Sequence, residues 1–263
     1  MPRQGSLVCI SLGMRLAGHI SPVSKSHLEK ADVVFSAISD GVTELWLQEL
    51  HPNVISLQQY YQEGKSRKVT YQQMVDAMVS AVRDGHRVVG AFYGHAGVFT
   101  YPSHKAIQIC RNEGFEAHME PGISAEDCLY ADAGIDPGKY GCQSYEASQF
   151  MFYQRIIDPS AYLILWQVGV TGDKSLARFS THQDYLAVLV ELLRAHYPSE
   201  HQVMLYEAAT LPIYETRMEW VTLDALPKAQ MHLHTTLMVP PSVKLKSNTE
   251  ILERLGKIAE AFD

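Results

Sequence analysis

Four side chains able to handle a proton or an oxyanion crowd into one short stretch: Tyr60, Tyr61, Arg67 and Tyr71. A free tyrosine ionises near pH ~10. A guanidinium beside it favours the phenolate and brings it closer to use as a base. With the phenol protonated, the same groups hold an oxyanion. Arg67 and Tyr71 are four apart, so they share a helical face if the helix begins early enough to include both. The bland alternative is a surface loop with packed aromatic bodies, and this stretch alone does not separate the two.

A second concentration of chemistry is Tyr93-Gly94-His95-Ala96-Gly97-Val98-Phe99. The apolar run 87–93 before it reads as a buried parallel strand. A helical pattern follows over 103–112. The loop therefore lies at the carboxyl end of a strand, where open α/β sheets bind ligands. Its glycines let backbone approach a ligand closely, and Tyr93 and His95 offer polar tips.

Other chemistries find no support. Gly13 and Gly18 have the spacing of a phosphate-cradling loop, but His19 and Ile20 stand where lysine and a hydroxyl are needed. The dinucleotide pattern G-x-G-x-x-G and the nucleophile elbow G-x-S-x-G are both missing. Twelve histidines are scattered without H-E-x-x-H, so no metal site is expected. His232 and His234 are expected to alternate on a strand and share a face. Glu126 and Asp127 read as helix N-terminal charges.

The elements that must position these groups alternate. Strands are expected over 6–12, 31–37, 54–57, 86–93 and 114–119, with helices over 22–30, 41–50, 71–84 and 103–112. Such alternation implies βαβ units and a parallel sheet. The polar, tyrosine-rich segment 57–71 is too long for a tight turn and reads as an ordered functional loop. Ser124 and Asp127 are spaced as a helix cap before a helix reaching Ala133, which Gly134 ends. Beyond residue 140 the pattern changes. Strands over 161–169, 202–208, 219–223 and 231–239, with a helix over 183–196, suggest a mixed, partly antiparallel second sheet. Residues 242–263 form a charged amphipathic tail, expected to be helical.

The chain has 263 residues and a net charge of −7, without a basic run. That argues against nucleic acid as a partner. Four cysteines without C-x-x-C read as reduced thiols. With no signal segment and no apolar run of about 18 residues, the sequence is read as a soluble cytoplasmic protein without a membrane span.

The two clusters, taken with Pro121-Gly122-Ile123-Ser124-Ala125-Glu126-Asp127-Cys128-Leu129 and Gly134-Ile135-Asp136-Pro137, resemble the borosin peptide α-N-methyltransferases of the tetrapyrrole methylase superfamily. The resemblance covers about 6–241. It implies an α/β protein of two domains, over 1–125 and 126–241, with a helical tail over 242–263. S-adenosyl-L-methionine would lie in the cleft between the domains. It implies transfer of methyl groups to backbone amides of a ribosomally made precursor. By the same resemblance Arg67, Tyr71, Tyr93 and Tyr61 match catalytic or substrate-side positions. Tyr93, His95, Val98, Phe99, Ser124, Ala125, Gln167, Tyr206 and Thr236 fall where the family holds the cofactor.

Two departures stand out: Gln58 occupies a position where the family often has a tyrosine, and Ala96 one where proline is common. Lacking an apolar substrate segment near its end, the chain resembles the split type, which acts on a separate precursor. The resemblance implies a homodimer, with two precursor chains a heterotetramer. The competing readings are a C-methyltransferase of a tetrapyrrole and a non-catalytic cofactor- or peptide-binding partner.

Overall fold

The computed structural model describes residues 4–38 and 40–262. Five parallel strands form the first sheet: β1 (Ser6–Ser11), β2 (Val33–Ala37), β3 (Val54–Ser56), β4 (Arg87–Phe92) and β5 (Glu116–Met119), in the order β3-β2-β4-β1-β5. Successive side chains of a strand point to opposite faces, and β1 divides accordingly. Val8 and Ile10 face α1 (Pro22–Lys30) and α2 (Gly41–Leu50), packing with Leu28 and Leu47. Leu7 and Cys9 face α3 (Arg67–Arg83) and α4 (Tyr101–Asn112), packing with Met78 and Cys110.

This order creates a switch point. The loop after β1 leads to α1 on one face, while the loop after its neighbour β4 leads to α4 on the other. A crevice opens where such loops diverge. Its floor is tied by a reciprocal bridge: Gly13 N–H donates to the Gly94 carbonyl at 3.1 Å, and Gly94 N–H to the Gly13 carbonyl at 2.8 Å. Both residues are left-handed, at φ 72° and 64°, which glycine adopts without steric cost.

The chain crosses to the second half through α5 (Ala125–Ala133) and α6 (Pro137–Tyr140). Ser124 caps α5 as expected: its hydroxyl accepts the N–H groups of Glu126 and Asp127, and Asp127 accepts the Ser124 N–H in return. Gly134 closes the helix at φ 65°. The second sheet holds β6 (Cys142–Glu146), β7 (Tyr162–Trp166), β8 (Gln202–Glu207), β9 (Arg217–Thr222) and β10 (Thr236–Val239) in the order β6-β7-β10-β8-β9. Only β6 and β7 run parallel. One face packs on α7 (Ala147–Phe152) and α8 (Gln183–Arg194), the other on Leu129 of α5.

Several expected boundaries move. The helix after the tyrosine-rich segment begins at Arg67, not Tyr71, and part of that segment is a 3-10 turn, Leu57–Tyr60. The last strand of the second sheet begins at Thr236. His232 and His234 therefore lie in the preceding turn, where their rings stack at 6.1 Å; the pleat of a strand is not what brings them together. β6 and α7 had no counterpart in the sequence reading. The tail forms α9 (Thr249–Glu260), on which no side chain is buried. No helix among the described residues is long and apolar enough to cross a membrane.

Candidate functional site

A cavity of about 760 Å³ opens at the carboxyl ends of β1 and β4 and is roofed by the second sheet. Its lining includes every position that the family resemblance assigns to catalysis or cofactor: Tyr61, Arg67, Tyr71, Tyr93, His95, Val98, Phe99, Ser124, Ala125, Gln167, Tyr206 and Thr236. Gln58 joins them, whereas Tyr60 turns toward the core beneath α3.

The phenol cluster is built by α3. Because the helix starts at Arg67, Arg67 and Tyr71 occupy one face, a turn apart. Tyr61 meets Tyr71 edge-on, with ring centroids 6.4 Å apart and planes at 88°. Tyr71 also stacks on Tyr101 at 6.3 Å. Arg67 has no carboxylate partner among the described residues, so its charge is available to the cavity.

The electrostatics reverse one expectation. Burial, and then the neighbouring Tyr71 and Tyr93 hydroxyls, push the Tyr61 phenol far above its ordinary range; Arg67 opposes this only weakly. Tyr93 rises as well, through burial and then Tyr71. The residue is 49% exposed and lines the open cleft. The expected push of the Tyr61 phenol toward phenolate is thus outweighed, and Tyr61 and Tyr93 both stand as protonated donors.

Two loops converge on buried Ser11 at the end of β1. Its hydroxyl accepts the Ala96 N–H at 2.9 Å. Gly122 approaches so closely that an added Cβ would stand 2.0 Å from the Ser11 Cβ. In the loop after β4, His95, which lines the cavity, accepts the Gly97 N–H at its Nδ1 at 2.9 Å. Tyr206 donates its hydroxyl to Asp132 at 2.8 Å, and the Ser124 hydroxyl is engaged in its cap. These two wall positions therefore offer little free hydrogen-bonding capacity.

Left-handed backbone at residues other than glycine is costly and concentrates at functional sites. Ala17 (φ 57°), Phe99 (φ 53°) and Gln167 (φ 58°) are three such residues, and all line the cavity. Leu176 (φ 55°) is a fourth, in a strap that the sequence reading missed. Buried Asp173 organises the strap, accepting the N–H groups of Ser175, Ala177 and Arg178, each at 2.9 Å. Burial pushes its carboxyl up, but the Ser175 hydroxyl and these amides outweigh that and hold its pKa at about 2. The Leu176 carbonyl then accepts the Arg67 N–H at 3.1 Å, and Phe179 lies 6.3 Å from Tyr61.

The far rim of the cavity carries a second polar group also missed from sequence. Glu207 accepts from Arg217 (2.6 Å), Thr235 (2.6 Å) and His232 (2.9 Å). Burial raises its carboxyl, but these donors prevail and hold it below the ordinary range.

Two layers of open α/β structure, a cleft at a switch point, and phenols beside a guanidinium that has no carboxylate partner among the described residues fit a group-transfer enzyme. Residues 6–227 match the tetrapyrrole (corrin/porphyrin) methylases. The chain belongs to this family of methyltransferases. It is 39% identical, over 271 residues, to the methyltransferase/ribosomally synthesized type I borosin cyclic peptide precursor of Coprinopsis marcescibilis, a match covering 100% of this chain and 69% of that protein. It is 39% identical, over 259 residues, to the methyltransferase/ribosomally synthesized cyclic peptide gymnopeptides precursor of Gymnopus fusipes, covering 97% and 62%. The chain thus spans about two thirds of the length of these relatives. The fold resembles that of the uroporphyrin-III-C-methyltransferase of Thermus thermophilus, with a TM-score of 0.65 and 15% identity over 94% of this chain and 99% of that one.

Proposed function

We propose that this chain uses S-adenosyl-L-methionine to methylate backbone amide nitrogens of a ribosomally made precursor peptide. The observation that carries the reading is the convergence of Tyr61, Arg67, Tyr71 and Tyr93 in one cavity, together with relatives that join a methyltransferase to a cyclic peptide precursor.

The cavity suits the cofactor. It offers apolar surface at Val98, Phe99, Ala125 and Trp166 for a flat base, and the polar groups of His95, Gln167 and Thr236 for the rest. Its volume leaves room for a peptide as well. When bound, the cofactor supplies an electrophilic methyl group. An amide nitrogen is a poor nucleophile because its lone pair is delocalised into the carbonyl. In our reading Tyr61 and Tyr93, kept protonated, donate to the amide oxygen as it gains imidate character. The Arg67 guanidinium stabilises that charge, and Tyr71 beside it handles the amide proton. Positioning and preorganised donors supply most of the acceleration.

We further read the precursor as a separate chain and the working unit as a homodimer carrying two precursors. Exposed apolar side chains on α9, among them Leu255 and Ile258, supply surface for such assembly. The four thiols are unpaired, in keeping with a reducing cytoplasm.

Intact-mass analysis after co-expression with small proteins encoded nearby tests the reading. Added methyl masses, mapped by fragmentation to backbone nitrogens of a separate chain, are expected. Methylation of a tetrapyrrole and no peptide would overturn it, as would cofactor binding with no product from any peptide.

A further inference from the structure

Outside the cleft, the end of α1 and the end of β5 bring three metal-ligating side chains together. His118 lies in β5 and Glu120 just beyond it, two residues on, so they project to the same side of the sheet. His27, in the last turn of α1, faces them. Glu120 Oε1 lies 3.1 Å from His118 Nε2 and 3.3 Å from His27 Nε2. The imidazoles meet edge to face, with centroids 5.4 Å apart.

We propose that His27, His118 and Glu120 form a binding site for a divalent cation of the zinc class. Ligands about 2.0–2.1 Å from zinc on a tetrahedron stand about 3.3–3.4 Å apart, close to both measured separations. Two imidazoles and one carboxylate are a ligand set that zinc accepts. Neither ring has an Nδ1 partner among the described residues. Each ring can therefore carry its proton there and present Nε2 to the metal. The side chains are 32%, 37% and 20% exposed in the order His27, His118, Glu120, which leaves room for water as a further ligand.

The backbone beneath the site is firmly held. His118 is paired with Val8 of β1, and the Glu120 N–H donates to the Cys9 carbonyl at 2.9 Å. None of the three residues lines the cavity, so the ion takes no part in methyl transfer. Its position gives it a bracing role: Glu120 leads directly into the turn carrying Gly122 and Ser124, and the ion pins α1 to that turn. Because His27 and Glu120 are 93 residues apart, no local spacing announces the site.

The test uses the full chain, freed of any affinity tag and treated with chelator. Zinc is titrated by calorimetry, and cobalt by its visible absorption. We expect one equivalent of zinc per chain, a cobalt spectrum of low-symmetry four-coordinate type, and a raised melting temperature with zinc. Glu120→Gln, His27→Gln and His118→Ala should each weaken binding at least about tenfold, the loss that even outer partners of a metal produce. His232→Ala, in the other histidine–glutamate group, should leave it unchanged. Glu120→Gln preserves shape, so its folding, checked by circular dichroism, separates lost binding from lost structure. Absence of zinc binding to the parent chain, equal affinity in parent and Glu120→Gln, or a loss confined to His232→Ala would each overturn the proposal.

Discussion

The Phe99 ring meets the Trp166 ring across the cleft, with centroids 6.1 Å apart and planes at 45°. Phe99 belongs to the loop after β4, while Trp166 ends β7, so this contact joins the first half of the protein to the second. Left-handed backbone lies at Phe99 itself and at Gln167, next to Trp166. Such strain persists only where surroundings over-determine it, and here the ring contact lies at one strained residue and beside the other. Phe99→Ala is expected to weaken cofactor affinity more than it lowers the melting temperature. The Trp166 indole lines the cavity, as does that of Trp46, so tryptophan fluorescence should respond to cofactor in the parent chain, and the response should be reduced in Trp166→Phe to the part that Trp46 reports.

Arg67→Ala and Tyr93→Phe should slow methylation by about 10²–10³-fold each, the cost of removing one donor to a developing oxyanion. Cofactor binding measured by calorimetry should be largely retained in both. Single-turnover mass spectrometry on the precursor separates the two effects, and parent-like turnover in either variant would remove that residue from the chemistry.

The raised phenols set a pH expectation. A group whose folded pKa lies above its unfolded value contributes stability that is present below the unfolded pKa and lost as pH rises through the folded one. For Tyr61 and Tyr93 the loss therefore begins above about pH 10, where the unfolded chain ionises and the folded one does not. Thermal midpoints should fall in that alkaline range, and the fall should be smaller in Tyr61→Phe. Tyrosinate absorbance should show these residues as late titrators.

Asp173 works at the opposite end of the scale. With a folded pKa of about 2, it contributes stability above the unfolded carboxylate value of about 3.9 that is lost as pH falls toward 2. Asp173→Asn leaves part of the buried amide cluster without its acceptor and should cost about 1–3 kcal/mol. Because the strap also receives the Arg67 N–H, the same substitution should lower the rate of methylation without a matching change in cofactor affinity.

The legible parts of this protein are those with strong local signals. The apolar run of β4, the glycines after it and the Ser124–Asp127 cap each carry their own physics, and each stands where the sequence placed it. The start of α3 was not legible because Ser66 makes no side-chain cap hydrogen bond, which leaves Arg67 and Lys68 looking like loop. β6, with the sequence CQSYE, has no clear apolar alternation and is an edge strand defined by its pairing with β7. Within the site, the phenols and the glycine loop declared themselves. Trp166, Phe179 and the Asp173 strap did not, since their place beside the cleft is set by how the two sheets face each other.

An isolated helix of twelve residues is marginal in water, and α9, of that length, draws nothing from burial against its own chain. Its amide hydrogens should therefore exchange with solvent deuterium long before those of β1 and β4, which sit at the centre of the first sheet. The order of this helix is a quantity that concentration can tune. Slower exchange in α9 at higher protein concentration would report a covering second copy, and slower exchange only when precursor is added would report the precursor in that place.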